Sequence, residues 1–200
     1  MKDKDLETRD KILKYTLEMV QNERDFSKIT VRRIIAGAGV SLSAVNYHFG
    51  SKEKLINEVI SMSIRKFLSS EADPYVEYKD DAVKKLKELV KLPARYLAEN
   101  PNISRISILS DMTNPIENDL TEQTIYFLMP AAKEVFQGKK EEEIKQELWK
   151  LVSIIQTAFL RHQSFIKLTG VDYFNSKERN KFLEDYIDML VNKIGGVVND

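Results

Sequence analysis

Residues 30–55 constrain the fold more than any other stretch of this chain. Their sequence is TVRRIIAGAGVSLSAVNYHFGSKEKL. Thr30 is a good N-cap, and the apolar residues after it recur at helical spacing. Gly39 stands where this first helix must end, because glycine enters the left-handed conformation without a steric penalty from a Cβ atom. Ser41 and Ser51 can cap two further helices, so the pattern predicts two short helices, a tight turn between them and the start of a third helix.

Two short helices joined by a tight turn that contains glycine are typical of the helix-turn-helix motif, whose second helix enters the major groove of DNA. In the second helix, Val45 and Phe49 lie four residues apart and are expected to face the first helix. The other positions carry groups that bind phosphates or base edges, and Asn46 can bond adenine through two hydrogen bonds. Lys52 begins the third helix, where a phosphate could dock, although a solvated lysine is the alternative. The predicted DNA-binding residues are Thr30, Ser41, Leu42, Ser43, Asn46, Tyr47, His48 and Lys52.

This stretch resembles the amino-terminal domain of the TetR/AcrR family of transcriptional regulators. The resemblance covers about the first 68 residues, and the upstream segment ILKYTLEMVQNERDFSKIT is similar to the family's first helix and the link that follows it. Asp25, Ser43, Val45 and Asn46 depart from the residues frequent in the family. The changes at Ser43 and Asn46 concern base preference, and Asp25 replaces a glycine in a backbone region that aspartate tolerates. The matching positions are Thr30, Val31, Arg32, Ile34, Ala38, Gly39, Val40, Ser41, Tyr47, His48, Phe49, Ser51, Lys52, Glu53 and Leu55.

The composition excludes several classes of function. The chain has no cysteine, which rules out disulfides, thiol catalysis and cysteine-based zinc sites. Its two histidines, His48 and His162, lie far apart, and the sequence contains neither a glycine-rich phosphate loop nor a nucleophile elbow. We therefore predict no enzymatic activity, no catalytic residues, no metal site and no cofactor.

The charge distribution and the hydropathy indicate where the protein works. Basic residues outnumber acidic ones in residues 1–68 and the reverse holds in the remainder, while the whole chain is neutral. A basic head on an acidic body fits a DNA-binding domain attached to a domain that avoids DNA. No uninterrupted apolar run approaches the length of a membrane span, and the start MKDKDLETRD is unlike a signal peptide. We expect a cytoplasmic protein without membrane contact.

Helical periodicity continues through the rest of the chain, and no segment alternates as a strand would. The predicted fold class is all-α, with an N-terminal three-helix helix-turn-helix DNA-binding domain plus a C-terminal helical ligand-binding and dimerisation domain. The predicted boundaries are residues 1–50 for the first domain, 51–70 for a connector helix that the segment around Pro74 ends, and 71–200 for the second domain. The helices predicted outside the motif are Leu6–Asn22, Ala82–Asn100 with a kink at Pro93, a short helix that includes Ile103, Ile106 and Leu109, Leu120–Phe136 interrupted by Pro130, Glu142–Leu168 and Lys177–Ile194.

The last two predicted helices carry unusually broad apolar stripes. A helix that is apolar over most of its circumference must be covered on two sides, and its own domain can cover only one. Two adjacent helices of this kind indicate a two-fold homodimer through a four-helix bundle. The resemblance implies the same arrangement. The alternative is a monomer that buries both helices internally.

The resemblance also implies a small molecule bound in the second domain, which would shift the spacing of the two DNA-binding heads. An apolar pocket with a few polar groups would suit a small apolar or amphipathic effector. Each aromatic candidate is also an ordinary core residue, and His162 can be a core histidine with satisfied hydrogen bonds. The candidate effector-binding residues are Tyr96, Met112, Phe127, Trp149, Gln156, Phe159 and His162.

These features together predict a homodimeric repressor that binds a palindromic operator in double-stranded DNA and is released by a small-molecule effector. An activator or an effector-independent regulator would have the same architecture. The alternative from another class is a helical protein-interaction module that has lost specific DNA binding. The basic charge around the intact Ser43, Asn46 and Lys52 argues against that alternative.

Overall fold

The computed structural model describes residues 2–23, 25–71, 81–113 and 115–195, and these residues form helices and turns without a strand. The predicted all-α fold class is confirmed. In the part of the chain that the structure describes, no helix is both long and apolar enough to cross a membrane. The helices are α1 (Lys2–Asn22), α2 (Val31–Ala38), α3 (Leu42–Phe49), α4 (Lys52–Glu71), α5 (Ala82–Glu99), α6 (Pro101–Thr113), α7 (Leu120–Val135), α8 (Glu141–Leu160), α9 (His162–Thr169) and α10 (Ser176–Gly195), with a short 3-10 turn at Phe26–Lys28.

The chain divides into two compact units. The first comprises the described residues of Met1–Phe67 and Asn100–Leu120, and the second comprises those of Leu68–Glu99 and Thr121–Asp200. Helix α6 therefore belongs to the first unit, where Asn102 Nδ2 donates a hydrogen bond to the Gln21 carbonyl of α1 at 3.0 Å. The sequence-based boundary at residue 70 puts α6 in the second domain, and as a division of function that boundary stays a prediction.

The structure differs from the predicted helices at the start of α1 and at Pro130. Helix α1 begins at Lys2, one turn before Leu6, where the apolar stripe used for the prediction starts. Pro93 lies inside α5, where the predicted kink stays a prediction, whereas α7 continues through Pro130, so the interruption predicted there is wrong. The predicted end of the connector around Pro74 lies outside the described residues.

The predicted helix Glu142–Leu168 is interrupted. Helix α8 ends at Leu160, and Arg161 separates it from α9 with backbone angles φ −108° and ψ 31°. Arg161 is hydrogen-bonded to both helices: its N donates to Thr157 O at 2.9 Å, and its carbonyl accepts from Phe165 N at 2.8 Å. The sequence could not show this interruption, because the apolar periodicity passes through Arg161 and neither glycine nor proline marks the position.

The core of the first unit joins α1 to the two short helices. Ile12 and Val20 of α1, Ile34 of α2, Val45 of α3 and Leu55 of α4 are each no more than 1% exposed. Complete burial of such a side chain contributes about 1.5–3 kcal/mol. The packing therefore fixes α2 and α3 against α1 and turns the opposite side of α3 towards solvent.

In the second unit, α10 packs along α5. Tyr173, in the turn before α10, is buried, and its hydroxyl donates to the Ala94 carbonyl of α5 at 3.1 Å. Arg179 Nη1 donates to the Tyr173 carbonyl at 2.9 Å, and burial lowers the pKa of this arginine. Lys91 Nζ pairs with Glu184 at 2.5 Å on the outer side. A buried polar contact and an outer ion pair thus hold α10 to α5.

Candidate nucleic-acid interface

Caps on both short helices define the turn between α2 and α3. Thr30 has extended backbone angles, and its Oγ1 accepts a hydrogen bond from Arg33 N at 3.3 Å. Gly39 ends α2 in the left-handed conformation, with φ 65° and ψ 38°. Ser41 Oγ accepts a hydrogen bond from Ala44 N at 3.2 Å and so caps α3. The capping predicted from the sequence is confirmed, and it fixes where α3 begins.

A second break places the start of α4 directly after α3. Gly50 follows α3 with φ 75°, and Ser51 Oγ accepts a hydrogen bond from Lys54 N at 3.2 Å. Lys52 is the first residue of α4, where its Nζ lies 3.9 Å from Glu53 Oε1 and its side chain is 23% exposed. Backbone N–H groups at a helix N-terminus bind anions. The start of α4 therefore combines a lysine with N–H donors that suit a phosphate.

Four residues of α3 form one exposed face, which we call the recognition face: Leu42, Ser43, Asn46 and Tyr47. Leu42 and Tyr47 are 52% and 76% exposed, and the other two are exposed as well. Residues at these spacings share one arc of a helix. Val45, on the opposite side, is 1% exposed and packs in the core. The predicted orientation of α3 is therefore confirmed.

The two serines at the start of α3 are hydrogen-bonded to each other. Ser41 Oγ lies 2.8 Å from Ser43 Oγ while it also caps α3. The Ser43 hydroxyl is therefore engaged within the protein. The other polar groups of the recognition face are the amide of Asn46 and the phenol of Tyr47, which take no part in the capping contacts.

His48 lies apart from the recognition face. Its side chain is 7% exposed, and Nε2 lies 3.5 Å from Oδ1 of Asp5 in α1. Its ring also meets the Tyr47 ring edge-on, with centroids 5.1 Å apart. In the structure His48 joins α3 to α1 and supports Tyr47, and its predicted contact with DNA stays a prediction.

Arg32 is a candidate for phosphate contact that the sequence interpretation did not select. It is exposed on α2, and none of the described residues forms an ion pair with it. Its neighbour Arg33 is held by Glu23 at 3.0 Å and by the Lys28 carbonyl at 2.7 Å. The available signal was the absence of a carboxylate one helical turn from Arg32, which leaves its charge unbalanced on α2.

Arg9 and Asp25 serve the framework of the motif. Arg9 forms an ion pair with Glu58 of α4, and its guanidinium lies 5.4 Å from the Phe49 ring centroid. Asp25 directly precedes the 3-10 turn Phe26–Lys28. Its carboxylate accepts hydrogen bonds from Ser27 Oγ at 2.7 Å and Ser27 N at 2.9 Å, which lower the pKa of Asp25. These contacts tie α1 to α4 and start the 3-10 turn before α2.

Gly37 allows the aromatic ring of Tyr15 to approach α2. A Cβ atom at Gly37 would lie 1.8 Å from Tyr15 Cζ and 2.2 Å from its hydroxyl oxygen. The close approach explains why the last-but-one position of α2 is glycine in a helix that otherwise consists of better helix formers. Sequence periodicity carried no signal for it, because the contact joins two helices.

We expect Gly37→Ala to lower the free energy of unfolding by about 1–2 kcal/mol, although alanine normally stabilises a helix by about 1 kcal/mol over glycine. The overlap with Tyr15 must force the ring or α2 to move. Urea titration measures the effect, and Ala36→Ser at the neighbouring exposed position is the control, which should change stability by no more than about 0.5 kcal/mol. An unchanged midpoint for Gly37→Ala would show that the Tyr15 ring turns away without cost.

The candidate effector-binding residues are divided between the two units. Met112 is 56% exposed in the first unit, and the other candidates lie in the second unit. Trp149 is 55% exposed, whereas Tyr96 is 3% exposed and Phe127 is half-buried. Their role in effector binding stays a prediction.

Gln156, Phe159 and His162 have partners inside the second unit. Gln156 Nε2 donates to Thr121 Oγ1 at 2.9 Å. Phe159 and His162 both pack against the Phe174 ring, with centroids 6.0 and 4.8 Å away, and His162 Nε2 lies 3.6 Å from Asp172 Oδ1. Phe159 is a buried core residue, and Gln156 and His162 are half-buried beside partners of the same unit.

A cavity of about 220 Å³ lies at the turn between α7 and α8. None of the candidate effector-binding residues lines it. The lining residues are Phe136, Lys139, Glu143, Ile144, Gln146 and Glu147.

Two capped helices around a short turn, with an exposed face on the second helix, define a helix-turn-helix DNA-binding domain. Residues 16–59 match the family model described as bacterial regulatory proteins, tetR family. The amino-terminal part of this chain is therefore similar to proteins of the TetR family, which confirms the resemblance found in the sequence.

The chain is also similar to curated proteins named nucleoid occlusion factor SlmA. It is 31% identical to the protein of Aliivibrio fischeri over 98 residues, or 49% of this chain and 50% of the relative. It is 26% identical to the protein of Vibrio cholerae over 103 residues, or 52% of each chain. The protein of Photobacterium profundum is 26% identical over 98 residues, or 49% of this chain and 50% of the relative. The chain spans about half the length of the curated relatives it matches.

Proposed function

We propose that this protein is a homodimeric transcriptional regulator, and specifically a repressor, that places α3 of each protomer in the major groove of a palindromic operator. The observation that carries the proposal is the recognition face, which is exposed on a firmly capped helix of the matched domain. Its amide and phenol can meet base edges and phosphates. Lys52 at the start of α4 and Arg32 on α2 supply two further cations in the same unit.

The palindromic form of the operator follows from the proposed two-fold dimer. A dimer through the last helices presents two copies of α3, and such copies bind half-sites about 34–36 Å apart along one face of DNA. Bound in that way, the protein represses by occluding polymerase. An effector in the second unit would release it by shifting the two recognition faces out of register with the half-sites.

An effector-independent regulator is the second candidate, and the contacts of the polar effector-site residues favour it. Gln156 donates a hydrogen bond to Thr121, and His162 Nε2 lies 3.6 Å from Asp172 Oδ1, both within the second unit. An effector would have to compete with these partners.

Selection from random DNA tests the proposed function. The full-length protein should enrich a palindrome and bind it tightly in the presence of random competitor, with an affinity that falls steeply as salt rises. Adding small amphipathic molecules to the same assay separates the two candidates. Weak binding that is equal on the selected and random DNA would contradict the proposal and favour the protein-interaction module.

Asn46→Ala should weaken binding to the selected operator by about 1–3 kcal/mol and leave binding to random DNA nearly unchanged. The reason is that the Asn46 amide is exposed on the recognition face and can read a base edge. Lys52→Ala is the matched control, since loss of a phosphate contact should weaken both DNAs alike and reduce the salt slope by about one. Equal losses on both DNAs for Asn46→Ala would exclude a role in reading bases.

A further inference from the structure

The recognition face lacks the side chains that read guanine. The commonest specific contact in the major groove is from arginine or lysine to guanine O6 and N7. Helix α3 has the sequence LSAVNYHF and contains neither residue. What it offers instead is the amide of Asn46, the phenol of Tyr47 and the apolar side chain of Leu42. Asparagine pairs with the N6 and N7 atoms of adenine, and apolar side chains contact the C5-methyl group of thymine.

The apolar side chain of Leu42, alone on this face, is not explained by a contribution to protein stability. It is 52% exposed in the first turn of α3, whereas Leu55, nearby in the chain, is fully buried. An exposed leucine contributes little to the fold, but contact with a thymine methyl group would remove both apolar surfaces from water. The first turn of a recognition helix is also the part that contacts base edges.

Leu42 and Asn46 are four residues apart, so their Cβ atoms lie about 5–6 Å apart on the same side of the helix. Successive base pairs are separated by about 3.4 Å. The two side chains can therefore reach bases one or two steps apart. Ser43, the other residue near them, has its hydroxyl hydrogen-bonded to Ser41 at 2.8 Å, which leaves Leu42, Asn46 and Tyr47 as the side chains of the face that can meet bases.

We infer that α3 reads an A·T-biased half-site, in which Asn46 bonds to an adenine and Leu42 packs against the methyl group of a thymine one or two steps away. This inference rests on the proposed function, because it requires α3 to dock in the major groove. It extends that function by naming the bases that the face selects and by making Leu42 a specificity-determining residue.

Replacing single chemical groups of the operator tests the inference. The full-length protein is titrated against its selected operator, in which each thymine in turn, at both symmetry-related positions, is replaced by deoxyuridine, which lacks only the methyl group. One or two positions should weaken binding by about 3- to 20-fold. In Leu42→Ala the same replacements should have no effect, while Leu168→Ala, at an exposed site on α9, should keep the full sensitivity to uracil.

The same design applies to Asn46. Replacing the adenine with 7-deazadeoxyadenosine removes the N7 acceptor, and it should weaken the wild type by about 5- to 100-fold but leave Asn46→Ala unaffected. Unfolding curves of both variants confirm that they fold.

The outcomes separate the inference from the proposed function. Specific operator binding without a uracil-sensitive position, or a uracil effect that persists in Leu42→Ala, overturns the inference and leaves the proposed function intact. A selected half-site of G·C pairs under α3 does the same. Failure to select any operator overturns both.

Discussion

Replacing Ser43 with aspartate should reduce operator binding by more than about 100-fold without lowering the stability of the fold. The carboxylate would stand on the recognition face, where α3 meets the phosphates and the electronegative base edges of the major groove. Like charges that face each other across an interface cost several kcal/mol, and every 1.4 kcal/mol is about tenfold in affinity. The change therefore removes binding by electrostatic repulsion and not by unfolding.

In the absence of DNA, the same carboxylate is expected to stabilise the folded protein. Ser43 lies in the first turn of α3, and an acidic side chain near a helix N-terminus is stabilising by about 0.3–1 kcal/mol. It can also accept a hydrogen bond from the Ser41 hydroxyl, whose Oγ lies 2.8 Å from Ser43 Oγ in the wild type. The midpoint of thermal unfolding should therefore equal or exceed that of the wild type.

Two control variants isolate the cause. Ser43→Asn has nearly the same shape as Ser43→Asp but no charge, so it should retain most of the affinity. Leu168→Asp makes the same change in net charge at a site on α9 that is 81% exposed, and it should leave operator binding nearly unchanged. Fluorescence anisotropy with labelled operator measures all three. A folded Ser43→Asp protein that binds like the wild type would show that α3 does not dock on DNA.

The motif could be predicted almost residue by residue because its signals are local. Thr30, Gly39 and Ser41 act on backbone groups within a few residues of themselves, through two side-chain caps and one left-handed conformation. Helical periodicity then decides which side of α3 is buried, and Val45 is buried as predicted. Chemistry that closes within one helical turn can be read from sequence because no distant contact competes with it.

The features that the sequence did not show depend on contacts between distant residues. The His48 imidazole is a side chain of the kind that contacts DNA. In the structure, however, its Nε2 lies 3.5 Å from Oδ1 of Asp5, which is far earlier in the chain, on α1. Gly37 looks like a weak point in α2 until the Tyr15 ring is placed against it. The interruption of the long helix at Arg161 has no breaker residue. Periodicity reports which face of a helix is apolar, but it does not report which partner that face meets.

The second prediction with a large expected effect concerns the proposed dimer. The residues to be replaced lie on α8 and α10 of the second unit. Trp149 on α8 is 55% exposed and Met189 on α10 is 51% exposed. The two helices are neighbours, since Lys193 Nζ of α10 lies 3.8 Å from Glu147 Oε1 of α8. Large exposed apolar side chains on adjacent helices are typical of a surface that a second protomer covers.

The double variant Trp149→Glu with Met189→Glu should be a monomer and should bind the palindromic operator about 100- to 10,000-fold more weakly than the wild type. In the dimer, binding of one α3 presents the second α3 to its half-site at a high effective concentration, and the monomer loses that advantage. Affinity for DNA that carries a single half-site should remain unchanged, because the recognition face is intact. Light scattering gives the oligomeric state, and titrations against both DNAs give the affinities.

The comparison with a third exposed apolar residue makes this prediction specific to α8 and α10. Leu168→Glu exchanges a more exposed leucine on α9 for the same charged side chain, and we expect it to stay dimeric and to bind the operator normally. Glutamate is a good helix former at each of these positions, so local helix propensity does not distinguish the variants. A double variant that stays dimeric would place the interface elsewhere, and a monomeric wild type would mean that the chain buries both helices itself. Only a loss of dimer and of palindrome affinity together, with single half-site binding preserved, links the last helices to the way the two recognition faces reach DNA.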